Sequence, residues 1–230
     1  FERDWLAGRG WERERIHTLG AGSDSSPGEP DPAGFRARHG IPETAPVVLF
    51  VGRKIFNKGV THVVQAMDVV WRRHPGAWLV LAGFRHNPPA WLQGYLAATE
   101  RGTRQCVNLD DVPALERDSA LAACTVLAAP SVSDSFGIVY LDAWRQGRPV
   151  IACRNTCCES FIEPGVNGWL VSFGDVPALA ERINEALDDP ARSARMGRKG
   201  RETWLERFQW PQVAQRADQA LAGATGGAAT

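Results

Sequence analysis

The sequence predicts an α/β fold built on a doubly wound, parallel, Rossmann-like sheet. From Pro46 onward, short apolar runs alternate with stretches that carry apolar residues at helical spacing. Three of the short runs stop directly before Gly52, Gly83 and Pro130, residues that end strands. Strands separated by helices of about ten to fifteen residues pair in parallel, with helices on both faces of the sheet. Ligands of such sheets bind beyond the carboxyl ends of the strands.

Each element is predicted from its own pattern. Residues 47–51 are mostly β-branched and form the first strand, whereas residues 59–73 carry valines and Met67 three or four residues apart and form a helix that ends before Pro75. The same patterns predict further strands at 78–82, 106–109, 126–129 and 150–153, and a turn followed by a strand at 165–171. They predict further helices at 91–100, 113–123, 138–146, 158–162, 176–187, 192–208 and 211–221, and a frayed end at 222–230.

Composition excludes several classes of protein. The 230 residues are 44% hydrophobic, which suffices for a buried core, and 26 basic residues balance 26 acidic ones, so no overall field attracts nucleic acid. Five cysteines without repeated Cys-x-x-Cys pairs predict reduced thiols and a cytoplasmic protein. No apolar run approaches the roughly 20 residues that cross a bilayer.

The loop after the first predicted strand is basic. It holds Arg53, Lys54 and Lys58 between the carboxyl end of a strand and the amino end of a helix. A guanidinium can bind two phosphate oxygens at once, an ammonium adds a mobile charge, and the helix amides beyond Gly59 add a partial positive end. The loop therefore predicts a diphosphate site; the alternative is a solvated basic turn.

The second polar cluster follows the strand at 126–129. Asp134 lies in a turn at 133–137, and Asp142 lies about one and a half turns into the next helix, so we expect both carboxylates to face the strand-end crevice. Two carboxylates without a third ligand make a poor metal site but accept hydrogen bonds from sugar hydroxyls. The alternative is that Asp134 caps a turn and Asp142 is a solvated helix residue.

Together these motifs resemble the carboxyl-terminal domain of the retaining glycosyltransferases of GT-B fold, family GT4 or group 1. The resemblance spans about residues 47–210. Its opening signature is matched by Gly52, Arg53, Lys58 and Gly59, and its acidic signature by Pro130, Ser131, Asp134, Phe136, Gly137 and Asp142. Later matches are Gly147, Pro149, Val150, Glu163, Gly165, Asn167, Gly168, Gly174 and Asp175.

The resemblance implies a function for each matched segment. It implies that Arg53 and Lys58 hold the diphosphate of a nucleotide-sugar donor, that Asp134 contacts the sugar, and that these three are the catalytic residues. It implies that Asp142 binds the ribose, and that no cofactor or metal ion is needed. The implied donor-binding set is Gly52, Arg53, Lys58, Gly83, Leu109, Ser131, Asp134, Phe136, Gly137, Ile138, Val139 and Asp142.

The resemblance also implies how the chain is divided. We expect residues 1–22 to be the edge of a missing N-terminal acceptor domain, 23–45 a linker, 46–209 the nucleotide-sugar-binding domain, and 210–230 a C-terminal helix and tail. The chain begins at Phe1, which suggests that an upstream part is absent. The fragment alone is then expected to bind a donor without transferring sugar to its unidentified acceptor. The missing domain can also bring the protein to a membrane surface.

Some positions depart from the family pattern. The family usually has glutamate where this chain has Asp134 and Asp142, and its Gly-Gly before Pro-Glu is replaced at residues 155–159. Two alternatives to a transferase therefore stay open, a nucleotide-sugar 2-epimerase and a catalytically inactive nucleotide-sugar-binding module. The histidines match no motif and are expected to be surface or helix residues: His17, His39, His62, His74 and His86.

Overall fold

A computed structural model of the chain describes residues 2–23, 27–84, 90–98, 100–132, 134–154 and 157–226. Six parallel strands form one sheet in the order β3-β2-β1-β4-β5-β6, which confirms the predicted fold class. The strands are β1 (Val47–Val51), β2 (Trp78–Gly83), β3 (Cys106–Asp110), β4 (Val126–Ala129), β5 (Val150–Cys153) and β6 (Gly168–Val171).

Helices cover both faces of this sheet. The helices of the described residues are α1 (Glu2–Ala7), α2 (Pro32–Arg38), α3 (Val60–Arg73), α4 (Ala90–Ala98), α5 (Glu100–Arg104), α6 (Ala114–Ala123), α7 (Ile138–Arg145), α8 (Val176–Asp188), α9 (Pro190–Arg207) and α10 (Trp210–Gly226). Helices α3, α4 and α8 pack on one face, and α2, α6 and α7 pack on the other. The β-branched strands are buried from both sides, as strands of a parallel sheet must be.

Several predicted boundaries differ from the structure. The helix predicted at 91–100 is two helices, α4 and α5, whereas the turn and strand predicted at 165–171 are confirmed, with the strand beginning at Gly168. The short helix predicted at 158–162 is a 3-10 turn at Cys157–Ser160. Residues 222–226, predicted to be frayed, continue α10; residues 227–230 lie outside the described residues.

The segment predicted to be a linker is partly packed against the domain. Within 23–45, α2 begins after Asp31, whose side chain accepts a hydrogen bond from the amide of Gly34 at 2.8 Å and so caps the helix. Phe35 on α2 is fully buried in the same cluster as Leu121 of α6. The second half of the predicted linker therefore contributes to the core.

The sheet has a topological switch point between β1 and β4, its two central strands. From β1 the chain proceeds outward to β2 and β3, and it then returns to β4 on the other side of β1. In open α/β sheets a crevice forms at the carboxyl ends of the strands at such a point. The loops that follow β1 and β4 are the two loops in which the sequence predicts the diphosphate and sugar residues.

Candidate active site

The loops after β1 and β4 are joined by hydrogen bonds. The amide of Val132 donates to the carbonyl of Asn57 at 3.0 Å, and the hydroxyl of Ser131 donates to the same carbonyl at 3.3 Å. Gly59 has a left-handed φ of 79°, and a Cβ there would lie 2.5 Å from the carbonyl oxygen of Pro130. A glycine at this position thus lets the two loops approach each other.

The central contact of the site is an ion pair between these loops. The Lys58 ammonium lies 2.5 Å from Oδ1 of Asp134, and the two side chains are 16% and 19% exposed. Lys58 ends a 3-10 turn, Phe56–Lys58, directly before Gly59. The structure therefore brings together a predicted diphosphate residue and the predicted sugar residue, which are 76 positions apart in the chain.

The other two cations of the β1 loop differ from each other. Arg53 is exposed, and its guanidinium makes no hydrogen bond or ion pair with another described residue. Lys54 is 1% exposed, and its ammonium donates to the carbonyl of Leu109 and to Oδ1 of Asp110, each at 2.7 Å. Of the three basic residues, Lys54 has a structural role because it ties the loop to the end of β3.

The amino end of α7 lies at the start of the acidic motif. Gly137 precedes it with a left-handed φ of 82° and is buried, and no side chain of the described residues caps the helix. The first helix amides, at Ile138 and Val139, therefore form a partial positive end at the crevice. Ile138 is exposed and Val139 is half-buried, so the segment is reachable from solvent.

The ring of Phe136 packs away from the polar groups. It stacks on Phe161 with ring centroids 5.4 Å apart and meets Phe208 edge-on at 5.8 Å. This aromatic cluster fixes the loop in front of α7.

Asp142 is 5% exposed and lies under the N-terminal segment. The hydroxyl of Ser23 donates to Oδ1 of Asp142 at 2.6 Å, and a guanidinium nitrogen of Arg117 lies 3.8 Å from Oδ2. Burial raises the pKa of Asp142, while the Ser23 hydrogen bond and the charges of Arg117 and Arg145 oppose that rise. The hydroxyl of Ser23 thus covers Asp142, which sequence spacing could not show, and the expectation that Asp142 faces the crevice stays a prediction.

Two members of the implied donor-binding set, Gly83 and Leu109, lie at neighbouring strand ends. Gly83 ends β2, its carbonyl accepts from the amide of Asp111 at 3.2 Å, and a Cβ on Gly83 would lie 1.9 Å from the carbonyl oxygen of Gly52. Leu109 lies near the end of β3 and is half-buried. Gly52 and Gly83 thus allow the ends of β1 and β2 to meet at the edge of the crevice.

The remaining candidates have other roles. All five cysteines lie within the described residues and none forms a disulfide, and the thiol of Cys157 donates to the carbonyl of Asp134 at 3.6 Å. His39 and His74 lie beside carboxylates, His62 is buried on α3, and His17 is exposed.

Among the residues that the structure describes, no three His, Cys, Asp or Glu side chains are grouped to hold a metal ion, and no helix is long and apolar enough to span a bilayer. The described residues do not include Ser133, Asn155, Thr156 and His86.

Comparison with known proteins agrees with the family resemblance found in the sequence. The family description "Glycosyl transferases group 1" matches residues 33–203. The chain is 30% identical to the alpha-maltose-1-phosphate synthase of Mycolicibacterium smegmatis over 217 residues, which are 88% of this chain and 55% of that protein. It is also 30% identical to the GDP-mannose-dependent alpha-(1-6)-phosphatidylinositol monomannoside mannosyltransferase of the same organism over 218 residues, 90% of this chain and 56% of that one.

A solved structure shows the same fold. Alr3699/HepE of Anabaena, solved in complex with UDP-glucose, superposes with a TM-score of 0.78 at 21% identity and covers 97% of this chain and 61% of its own. The chain spans just over half the length of the curated relatives that it matches.

Proposed function

We propose, from the premise that the chain belongs to the group 1 glycosyl transferases, that it forms the donor-binding half of an enzyme. This enzyme transfers a sugar from a nucleotide-diphosphate sugar with retention of configuration. One observation carries the proposal. The ion pair between Lys58 and Asp134 lies where the loops after the two central strands meet, at the switch point of the sheet. That place and those two charges suit a donor with a diphosphate beside a sugar.

The cations act on the leaving group. Arg53 and Lys58 bind the diphosphate, and when the bond between the sugar and the phosphate breaks through an oxocarbenium-like state, negative charge grows on that phosphate. Positive groups held in advance at this position stabilise the transition state more than the ground state. As the diphosphate enters, Lys58 turns from Asp134 to a phosphate oxygen, which releases the carboxylate of Asp134 to accept hydrogen bonds from the sugar.

The backbone supplies the rest of the donor site. The amides from Phe136 to Val139, at the positive end of α7, support the diphosphate, and Gly52 and Ser131 line the loops around it. Asp142 accepts the ribose hydroxyls, and the backbone at Gly83 and Leu109 contacts the base. We propose that the site works without a metal ion, since Arg53 and Lys58 already supply two positive charges at the diphosphate.

The relatives do not determine which donor this chain uses. One matched protein is named as dependent on GDP-mannose, and one structural neighbour was solved with UDP-glucose. We therefore leave the base and the sugar open and propose the donor class alone. The comparisons favour a transferase over a nucleotide-sugar 2-epimerase. The free thiols accord with the cytoplasmic location that we also propose.

Calorimetric titration with UDP, GDP and ADP in EDTA tests the proposal. We expect one nucleotide to bind the chain, and an Arg53→Ala, Lys58→Ala double variant to lose that binding. The matched control is Arg198→Ala, Lys199→Ala, which removes the same two charges from the exposed side of α9 and should bind as the unaltered chain does. Equal loss in both double variants, or binding that needs an added divalent cation, would contradict the assigned site.

We further propose that the acceptor is bound outside these 230 residues, in the other half of the enzyme. Incubation of the chain with a radiolabelled donor and candidate acceptors should then give no labelled acceptor. Efficient transfer by these residues alone would contradict this division of labour. Donor hydrolysis by the full-length enzyme would argue against the alternative that the site only binds.

A further inference from the structure

Residues 19–23 form a segment, here called the strap, that lies between α10 and the site. A guanidinium nitrogen of Arg216 on α10 donates to the carbonyl of Leu19 at 2.8 Å. Gly22 lies against the ring of Trp210, since a Cβ on Gly22 would lie 2.5 Å from that ring. The last helix therefore fixes the position of the strap.

The strap ends at Ser23, which is held at both its amide and its hydroxyl. The amide of Ser23 donates to the carbonyl of Phe208 at 3.2 Å, and its hydroxyl donates to Oδ1 of Asp142 at 2.6 Å. Ser23 and Asp142 are both 5% exposed. A hydroxyl fixed in this way gives the carboxylate one defined orientation.

The charged groups around Asp142 come from two helices. On α6, Arg117 lies 3.8 Å from Oδ2, and the neighbouring Asp118 is a like charge. On α7, Arg145 is positive but lies 2.6 Å from Asp118, with which it forms a buried ion pair. Among the described residues, Ser23 is the hydrogen-bond donor to Asp142.

We propose that Ser23 is a positioning residue for Asp142. Its hydroxyl holds the carboxylate of Asp142 ionised and in one orientation, and in that state Asp142 accepts hydrogen bonds from the hydroxyls of the donor's ribose. This inference rests on the proposed function, which assigns the ribose to Asp142. An ionised carboxylate has about four acceptor positions, so the Ser23 bond leaves positions for a ribose hydroxyl. The arrangement links the strap, and through it α10, to recognition of the nucleotide.

The Ser23 hydroxyl also affects how the affinity for a ribonucleotide depends on pH. Burial raises the pKa of Asp142 and the Ser23 hydrogen bond lowers it, so loss of the hydroxyl raises that pKa further. Ribose binding requires the ionised form. In a Ser23→Ala variant, affinity for a ribonucleotide is therefore expected to fall at a higher pH during acidification than in the unaltered chain.

The test compares two ligands that differ only in the ribose hydroxyls, UDP and 2′,3′-dideoxy-UDP, by calorimetry from pH 8 to pH 5. If the chain prefers GDP or ADP, the pair with that base is used. We expect Ser23→Ala to bind UDP about tenfold more weakly, to bind the dideoxy ligand unchanged, and to lose UDP affinity at a higher pH. Ser23→Thr, which keeps a hydroxyl, should restore UDP binding.

The control is Ser193→Ala on α9, whose buried hydroxyl donates to the carbonyl of Ala186 at 2.8 Å, away from the site. It should leave both affinities unchanged, and thermal unfolding reports whether each variant folds. Equal loss for both ligands, no change in either, or tighter UDP binding in Ser23→Ala would each overturn the positioning role. Equal affinity of the unaltered chain for both ligands would instead overturn the assignment of the ribose to Asp142.

Discussion

Replacing Asp134 by Asn should strengthen the binding of a free nucleoside diphosphate. Lys58 is engaged with Asp134 at 2.5 Å, so an incoming diphosphate must compete with that carboxylate for the ammonium. Exposed ion pairs are worth about 0–1 kcal/mol, whereas breaking a buried one costs about 3–5 kcal/mol. The Lys58–Asp134 ion pair, whose side chains are each less than a fifth exposed, should contribute a free energy between these two limits, about 1–2 kcal/mol. Asparagine removes this competition and raises affinity for the diphosphate about five- to thirtyfold.

Calorimetry with UDP at fixed ionic strength measures this effect. Lys58→Ala should weaken binding about tenfold or more, since hydrogen bonds to charged groups are worth about 1.5–3 kcal/mol. Asp218→Asn, which removes one exposed carboxylate from α10, controls for the change in net charge and should have little effect. If Asp134→Asn weakens UDP binding as much as Lys58→Ala does, the two residues act as an intact pair and the exchange of partners is refuted.

Three other predictions concern the framework of the site. Gly83→Ala should destabilise the fold by about 3 kcal/mol, because the new Cβ would lie 1.9 Å from the carbonyl oxygen of Gly52 and the φ of residue 83 is +153°. Thermal unfolding compares this variant with Gly94→Ala, which should not destabilise the fold because a Cβ there would have no atom within 4 Å. Lys54→Met should lower the free energy of unfolding in urea by about 2 kcal/mol, because a buried ammonium that bonds Asp110 is lost; an unchanged midpoint would contradict its structural role. Burial raises the pKa of Cys106 and of Cys124 to about 12 and that of Cys153 to about 11, which keeps these three thiols protonated at pH 8. Iodoacetamide should therefore alkylate them only after unfolding, and mass spectrometry of the native chain checks this.

The sheet and its helices were predictable because their signals are local. Val47–Val51 is apolar on both faces, as a central parallel strand must be, and the helix at 60–73 has an apolar stripe that repeats at helical spacing. The loops of the site were predictable for the same reason. Each lies directly after a strand, and parallel strands bring their carboxyl ends to one edge.

The rest could not be predicted, because it depends on contacts between distant residues. The sequence shows Lys54 and Lys58 as equivalent cations, yet Lys54 is buried by the end of β3, some 55 residues away. It shows Asp142 as a helix residue, yet Ser23 covers it from 119 positions upstream. The Asp and Pro pattern before α2 is typical of a helix start, but only the packing of Phe35 shows that part of the predicted linker belongs to the core.

A crystal structure of the chain with a bound nucleoside diphosphate would show directly whether the loops after β1 and β4 hold the donor. We expect the phosphates at the carboxyl ends of β1 and β4, within hydrogen-bond distance of the Lys58 ammonium and the Arg53 guanidinium. We also expect that Lys58 has left Asp134. Phosphates bound elsewhere on the sheet, or a Lys58 still paired with Asp134 beside them, would contradict these expectations.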